Sequence, residues 1–370
     1  MKERFFKRPR FIVFIFSMVL CTVIDAGRHY TRFTETIFPL ERMAELKGRM
    51  FSVFSNPKLC FAEMFIIAAA VFAVCAVIYL IVRFIRVRRK GRFFVNYIVF
   101  LLALVLVIRL FFLVFCGVDY ARTPIKEQMG LDTRPQSAQV LFDTALYIQG
   151  ELNAAADTVA RDQKGAFTPS RSARELTAAS QEVFETYADH IYFLHGHYTT
   201  PKTVELSELM NYLLISGFYF PYTGEANVNV RDGRLYFPYT ACHEKAHQYG
   251  VMREDEASFL AFLACMESTD EDFRYSALVK AYQVLSNRLY YTNLNKYYEL
   301  SKTLDKRVAF DIQLYREHTI KYVGKASDFS ESVNDTYLKS QGQENGTASY
   351  GELADLLIAW YLKTQVVMAS

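Results

Sequence analysis

The amino-acid sequence predicts a mainly helical α+β protein, in which three membrane-spanning helices precede a globular domain with a small β-hairpin or sheet. Hydrophobic residues make up 52% of the chain and crowd into three runs within the first 118 of its 370 positions. The remaining sequence shows amphipathic helical patterns separated by short breaks. The best strand–turn–strand candidate, residues 226–238, alternates apolar and polar residues around Asp232-Gly233, a favoured two-residue turn.

The three apolar runs lie at about residues 9–26, 63–82 and 93–118, and each is long enough to cross the ~30 Å hydrocarbon core of a lipid bilayer. The first run follows a basic start and has the length of a signal-peptide core. No small-x-small cleavage site follows it, so a membrane anchor is the prediction. Residues 1–118 are therefore expected to form the membrane region and residues 119–370 a second domain.

Basic residues beside the apolar runs predict the orientation of the chain. The link between the second and third runs contains six basic residues and no acid: Arg83, Arg86, Arg88, Arg89, Lys90 and Arg92. Such links stay in the cytoplasm. Three crossings then place the second domain outside the cytoplasm, anchored in the cytoplasmic membrane. Arg109, inside the third run, is expected to snorkel or to pair with Glu63.

Charge and cysteine content exclude two broad classes of protein. The net charge of +3 is too small to argue for nucleic-acid binding, and no aromatic-basic RNA motif is present. The six cysteines do not form a disulfide framework. Cys242 and Cys265 are the one pair that could join in an oxidising compartment, and the alternative is two buried free thiols.

Beyond the apolar runs, helical patterns cover most of the chain. The periodicity predicts helices at residues 137–160, 173–194, 206–216, 239–249 and 254–267, over most of 272–315, and at 350–368. The predicted hairpin lies just before the helix at 239–249. That helix carries the most informative motif of the sequence.

His243-Glu244-Lys245-Ala246-His247 fits the pattern H-E-x-x-H. Residues four apart share one face of a helix, so both imidazoles can reach one ion. Catalytic zinc sites accept neutral imidazole nitrogen and keep one position open for water. Glu244 lies beside the first histidine, where a carboxylate can act as a general base. The alternative is a chance match, with two structural histidines beside a glutamate.

A zinc site of this kind needs a third ligand. Gly250 can end the first helix in a left-handed cap, and a second helix then begins at residues 253–261 with several acids in its first turn. Acids at this position are ordinary partners of the helix dipole. Glu256 differs because it heads a row of core positions, so it is the predicted ligand. Glu254 and Asp255 are the alternatives.

At this point the sequence resembles a family of bacterial three-pass membrane proteins with a domain of unknown function, grouped with zincin-like peptidases. The resemblance spans nearly the whole chain. It is sharpest in five segments: Ser216-Gly-Phe-Tyr-Phe-Pro-Tyr-Thr-Gly-Glu-Ala-Asn-Val-Asn, Cys242-His-Glu-Lys-Ala-His-Gln-Tyr-Gly, Arg253-Glu-Asp-Glu-Ala-Ser-Phe-Leu, Val333-Asn-Asp-Thr-Tyr-Leu-Lys-Ser and Ser349-Tyr-Gly. The family usually has Asn where Ser258 stands and Leu where Lys245 stands.

More widely, the motif resembles that of gluzincins, whose third ligand is a glutamate on the helix after the histidines. That likeness implies a zincin-like fold and Zn²⁺ as cofactor, and it favours Glu256 as the ligand. It supplies no substrate.

Three weaker signals concern the surroundings of the motif. Val228, Asn229 and Val230 are expected to form a strand beside the motif helix that either pairs with an extended peptide or serves only as structure. Tyr350 is a candidate oxyanion donor. His195 and His197 either form a second metal or oxyanion site or lie on a solvated surface turn.

Together these features predict a membrane-anchored zinc metallopeptidase that hydrolyses peptide bonds of peptides or proteins at the extracytoplasmic face. Two alternatives share the same residues. One is a zincin-like binding or sensor module without catalysis, and the other is a zinc-dependent amidase. Glu244 favours an enzyme, because it is not a ligand and has little structural use.

Overall fold

The structure, a computed structural model, describes residues 9–369, apart from the side chains of residues 349–350 and 366–369. It contains two compact units. The first consists of residues 9–43, 61–122 and 221–223, and the second of residues 44–60, 123–220 and 224–369. The segment 44–60 thus belongs with the second unit, although it lies between the first two apolar runs in the sequence.

Five helices occupy the N-terminal third of the described chain. They are α1 (Pro9–Gly27), α2 (Thr31–Ile37), α3 (Leu40–Phe51), α4 (Phe61–Arg86) and α5 (Lys90–Phe115). The helices α1, α4 and α5 are long and apolar enough to cross a membrane, and they contain the three predicted runs. Valine, isoleucine and phenylalanine side chains are exposed all around α4. A helix that is apolar on every side needs an apolar environment, as in a membrane protein.

Polar contacts join α1 to α5 in the first unit. Arg109 on α5 pairs with Asp25 on α1, so its predicted partner, Glu63, is wrong. Near the other end, an Arg10 Nη2 donates to Asn96 Oδ1 at 2.7 Å. The sequence distance between α1 and α5 hid this pairing. A charge inside an apolar helix is stabilised by a partner of opposite sign.

The second unit is mainly helical. Its helices after α3 are α6 (Ile125–Gln128), α7 (Ala138–Ala155), α8 (Ala173–Ala188), α9 (Ser207–Tyr212), α10 (Phe237–Gln248), α11 (Glu254–Glu267), α12 (Glu271–Thr292), α13 (Leu294–Lys302), α14 (Lys306–Thr319), α15 (Lys325–Ser340) and α16 (Leu353–Ala369). The predicted helices are confirmed, with one long prediction divided among α12, α13 and α14. Helix α15 has no counterpart in the predictions.

A three-stranded sheet lies beside α10. Its strands are β1 (Lys202–Val204), β2 (Gly217–Phe220) and β3 (Glu225–Asn229), in the order β1-β3-β2. Strand β3 pairs in parallel with β1 and antiparallel with β2. All five residues of β3 are buried. The central strand is therefore the one that the sequence placed in an exposed hairpin arm.

The hairpin predicted around Asp232-Gly233 is wrong. The structure forms the hairpin between β2 and β3 instead, and the residues after Gly233 enter α10. Pro238 lies in the first turn of α10, where proline is well tolerated because that turn lacks intrahelical donors. The asparagines that suggested an exposed face are buried and hydrogen-bonded. Asn229 Nδ2, for example, donates to Asn211 Oδ1 at 2.7 Å.

The core of the second unit surrounds α10, α11 and α12. Phe259, Phe262 and Phe273 are almost completely buried there. Cys242 and Cys265 are buried free cysteines, and a hydrogen bond joins their thiols. The core thus holds α10 from several sides, and this helix carries the H-E-x-x-H motif.

Candidate metal centre

Helix α10 is buried on nearly every side, although its second half reads His-Glu-Lys-Ala-His-Gln. Different elements satisfy its polar side chains. Lys245 Nζ donates to Gln181 Oε1 on α8 at 2.7 Å, and Gln248 Nε2 donates to the Gly224 carbonyl at 2.7 Å. Burying such groups is costly unless they are bonded. Their bonds fix the rotation of α10, so the two histidines share a face away from α8.

Gly250 reverses the chain after α10, as the sequence predicts. Its φ is +89°, a conformation that glycine adopts without strain. The Val251 amide donates to the Ala246 carbonyl at 3.1 Å, which closes the helix end. This tight turn brings the first residue of α11, Glu254, back over the face of α10 that carries His243 and His247.

Three ligand atoms converge at this place. The Nε2 atoms of His243 and His247 lie 3.1 Å apart, and Glu254 Oε2 lies 3.2 Å from the first and 3.5 Å from the second. No other cluster of three metal-ligating side chains occurs in the described part of the chain. The three side chains are 12%, 8% and 12% exposed, so the group is enclosed but not sealed.

This donor set has the composition and spacing that zinc prefers. Ligands at about 2.0–2.1 Å from a tetrahedral ion are separated from one another by about 3.3–3.4 Å. The three observed separations scatter around that value. Two imidazole nitrogens and one carboxylate oxygen also form a usual catalytic zinc set, which leaves a fourth position.

Contacts behind the histidines orient their rings. His247 Nδ1 lies 2.8 Å from the Val251 carbonyl, which can only accept, so Nδ1 carries the proton and Nε2 has its lone pair free. His243 Nδ1 lies 3.3 Å from Ser258 Oγ. Sequence reasoning missed the contact of Ser258, which became visible only once α11 was placed beside α10. Both rings thus point Nε2 at the same spot.

The charges of the group are strongly coupled. Burial opposes the charged form of His247, but the Glu254 carboxylate outweighs burial and raises the pKa of His247 to about 9. Burial also acts on Glu254, and the two histidines hold its pKa well below the usual range. Burial is the main cause that lowers the pKa of His243. The site therefore favours a positive charge among its three donors.

Glu256, the ligand that the sequence favoured, does not join this group. Its carboxylate accepts from the Ile125 amide at 2.9 Å and pairs with Arg253 at 3.1 Å. Residues two apart on a helix point in nearly opposite directions, so Glu254 and Glu256 cannot share a site. The structure thus replaces Glu256 by Glu254, one of the two alternatives. Asp255 also lies outside the group.

Glu244 lies beside the three donors without being one of them. It is 4% exposed, and its Oε2 is buried with no hydrogen-bond partner among the described residues. Burial is the main cause that raises the pKa of Glu244 to about 8. A buried carboxyl without a partner is costly and is typical of functional sites. Such a group can take up a proton near neutral pH.

Strand β2 approaches Glu244 closely. A Cβ atom at Gly217 would lie 2.6 Å from Glu244 Oε1, closer than such atoms pack. The Asn229 amide donates to the Ser216 carbonyl at 2.9 Å. Since hydrogen bonding alternates along an antiparallel ladder, the Gly217 backbone groups point away from β3. Glycine at 217 thus gives Glu244 its room and leaves a polar backbone edge beside it.

The residues predicted to bind a peptide are placed differently. Val228 and Asn229 lie in the central strand β3, whose two sides pair with β1 and β2, and Val230 follows that strand. A peptide cannot add to a central strand, so this assignment is wrong and β2 is the edge strand nearest to Glu244. Tyr350 lies in a 3₁₀ turn, Gly346–Glu352, and its side chain falls outside the described residues.

His195 and His197 do not meet other ligating side chains in the described chain. The His197 side chain is 88% exposed, and its Nδ1 lies 3.9 Å from Glu185 Oε1. This agrees with a solvated surface turn.

Comparison with known proteins gives one match. Residues 35–358 match the model of a family described as a protein of unknown function, DUF3810. Comparisons with curated proteins and with solved structures give no match. The matched region contains α4, α5 and every residue of the candidate metal centre. Because the match covers most of its 370 residues, the chain belongs to the DUF3810 family of proteins of unknown function.

Proposed function

We propose that the chain is a zinc-dependent peptidase, with His243, His247 and Glu254 as ligands and Glu244 as general base. The observation that carries the proposal is the unpartnered, buried Glu244 carboxyl next to three converging donors. A purely structural histidine pair does not need such a group. A fold kept only for binding would gain stability by replacing it, since a buried unpaired carboxyl is costly.

Each residue has a defined task in this reaction. Bound zinc supplies a Lewis acid and lowers the pKa of water. Glu244 accepts the proton of the attacking water and passes it to the leaving amine. The Val251 carbonyl and Ser258 hold the two imidazole rings in place. Burial around the group excludes bulk water and strengthens these interactions.

The edge of β2 is the best candidate for holding the substrate. An extended peptide that pairs with the outward backbone groups of Gly217 would lie next to Glu244. Backbone pairing of this type is largely independent of side chains. It suits peptide and protein substrates, which replaces the earlier assignment of Val228, Asn229 and Val230.

We place this reaction at the extracytoplasmic face of the cytoplasmic membrane. The proposal rests on the basic link between α4 and α5, which begins at Arg83 and ends at Arg92. Its helices α1, α4 and α5 would anchor the chain in the lipid bilayer.

The substitution Glu244→Gln tests catalysis separately from metal binding. The purified full-length protein should contain about one zinc per chain, and the variant should keep it, because glutamine has the same shape and Glu244 is not a ligand. Cleavage of a peptide library, followed by mass spectrometry, should fall by about 10²–10⁴-fold. His243→Ala is the contrasting variant and should lose the zinc. A zinc-loaded wild-type protein that cleaves no peptide would support a binding or sensor module instead.

A further inference from the structure

Lys280, on α12, has an ammonium group with neither a hydrogen bond nor an ion pair to any described residue. The side chain is half-buried, and Nζ lies 5.9 Å from the centre of the Tyr236 ring. Lysines in such positions are usually paired, because desolvating a charge is costly. The contact with one aromatic face satisfies only part of that need.

The position of Lys280 relative to the metal centre follows from Ser276, one turn earlier on the same face of α12. Ser276 Oγ donates to the Leu235 carbonyl at 2.8 Å and accepts from the Tyr239 amide at 3.3 Å. This face of α12 therefore lies against the first turn of α10. Lys280 continues it toward His243, and its charge adds to burial in lowering the pKa of that histidine.

One carboxylate faces Lys280 from the opposite side. Asp232 raises the pKa of Lys280, against the stronger effect of burial, which lowers it. However, Asp232 does not come within ion-pair distance. Its carboxylate accepts from Tyr315 Oη at 3.3 and 3.4 Å instead. The ammonium is thus partly compensated from a distance, and its hydrogen-bond donors remain available.

We propose that Lys280 binds a carboxylate of the substrate beside the scissile bond, and so selects peptides that carry one there. The inference rests on the proposed peptidase function. Zinc with two neutral imidazoles and one carboxylate has a charge of +1, and Lys280 adds another positive charge on the same side of α10. A carboxylate offers two acceptor oxygens to the ammonium. The carboxylate is either the free C-terminus or an acidic side chain, and the substrates of the test separate the two.

The test uses pairs of peptides that differ only in that charge. One pair has a free or an amidated C-terminus, and the other has Glu or Gln next to the scissile bond. The full-length, zinc-loaded protein should prefer the carboxylate member of one pair. Lys280→Met should lower this preference, measured as the ratio of the two kcat/KM values, by about 10- to 100-fold, as expected for a hydrogen bond to a charged group.

Two further variants exclude trivial explanations. Lys302→Met removes the same charge from an exposed position on α13 and should leave the ratio intact. Lys280→Arg keeps the charge and should restore part of the preference. If Lys280 served only to pack against Tyr236 or to stabilise an oxyanion, both members of a pair would slow equally. An unchanged ratio in Lys280→Met therefore overturns the proposal.

A binding experiment separates this inference from the proposed function. The same peptides are titrated calorimetrically into the Glu244→Gln protein, with and without Lys280→Met. Tighter binding of the carboxylate member that disappears in the double variant supports Lys280, even if the wild-type protein cleaves nothing. Equal binding of both members overturns the inference while leaving catalysis to be decided by the cleavage assay.

Discussion

Glu254 and Glu256 show how two carboxylates, two residues apart, receive different tasks. Glu254 is the first residue of α11, and helical side chains lean toward the N-terminus, which here means toward the turn at Gly250 and α10. Glu256 points the other way and accepts from the amide of Ile125, the first residue of α6. The sequence argument noticed correctly that Glu256 faces the core. It could not reveal that an amide and Arg253 wait there rather than a metal.

The two glutamates can be separated by substitution. Glu254→Gln should reduce the zinc content measured by atomic emission, because a neutral amide is a poor zinc ligand. Glu256→Gln should keep the zinc but lower the Tm, because it weakens a charge-assisted contact of about 1.5–3 kcal/mol. The opposite result, with zinc lost only in Glu256→Gln, would restore the assignment made from the sequence.

Ser258 is the second residue whose role depends on placement. Its hydroxyl meets His243 Nδ1, where the family pattern has an asparagine. Ser258→Ala should weaken zinc binding by about 10- to 100-fold, the usual effect of losing a contact behind a ligand. Competition with a fluorescent chelator measures this change. Ser258→Asn is the matched control and should bind zinc more tightly than the alanine variant.

Helices were predictable here, whereas strands were not. The helix α11 begins and ends at the predicted residues, since acids mark its start and an apolar pattern runs through it. Strand β3 alternates apolar and polar residues, which favours a half-exposed strand. In the structure Glu225, Asn227 and Asn229 are buried as well. Tertiary hydrogen bonds to these side chains decided the outcome, and the local pattern contains no sign of them.

Strand β2 offers a test of the geometry around the catalytic group. In Gly217→Ala the added methyl would lie 2.6 Å from Glu244 Oε1 and 2.9 Å from the Asn227 carbonyl. The carboxyl or the strand must therefore move. We expect peptide cleavage to fall at least tenfold, since small displacements of catalytic groups cost about 10²-fold in rate. Zinc content should stay near that of the wild type, and Gly150→Ala, at an open position of α7, is the control.

On the scale of the whole molecule, the chain combines three apolar helices with a second unit whose metal centre is built from residues far apart in sequence. The helices follow directly from composition and length, so they were predictable. The boundary between the units was less so. Residues 44–60 return to the second unit between two membrane helices, and this depends on packing rather than on hydropathy.

The orientation of the chain in the membrane is open to a direct test. A reporter enzyme that is active only outside the cytoplasm should be active when fused after Tyr120 and silent when fused near Lys90. The reason is the excess of basic residues in the link before α5. Activity at Lys90 and silence at Tyr120 would place the proposed peptidase in the cytoplasm.

The enclosure of the three donors also has a kinetic consequence. With side chains only 8% to 12% exposed, an ion held by His243, His247 and Glu254 can leave only when the surrounding structure opens. Exchange with the medium should then be governed by the rate of local opening rather than by the concentration of a competing chelator. The occupancy of each molecule would be set largely during its folding. Its metal content would thus record the conditions under which the chain was made, long after those conditions have changed.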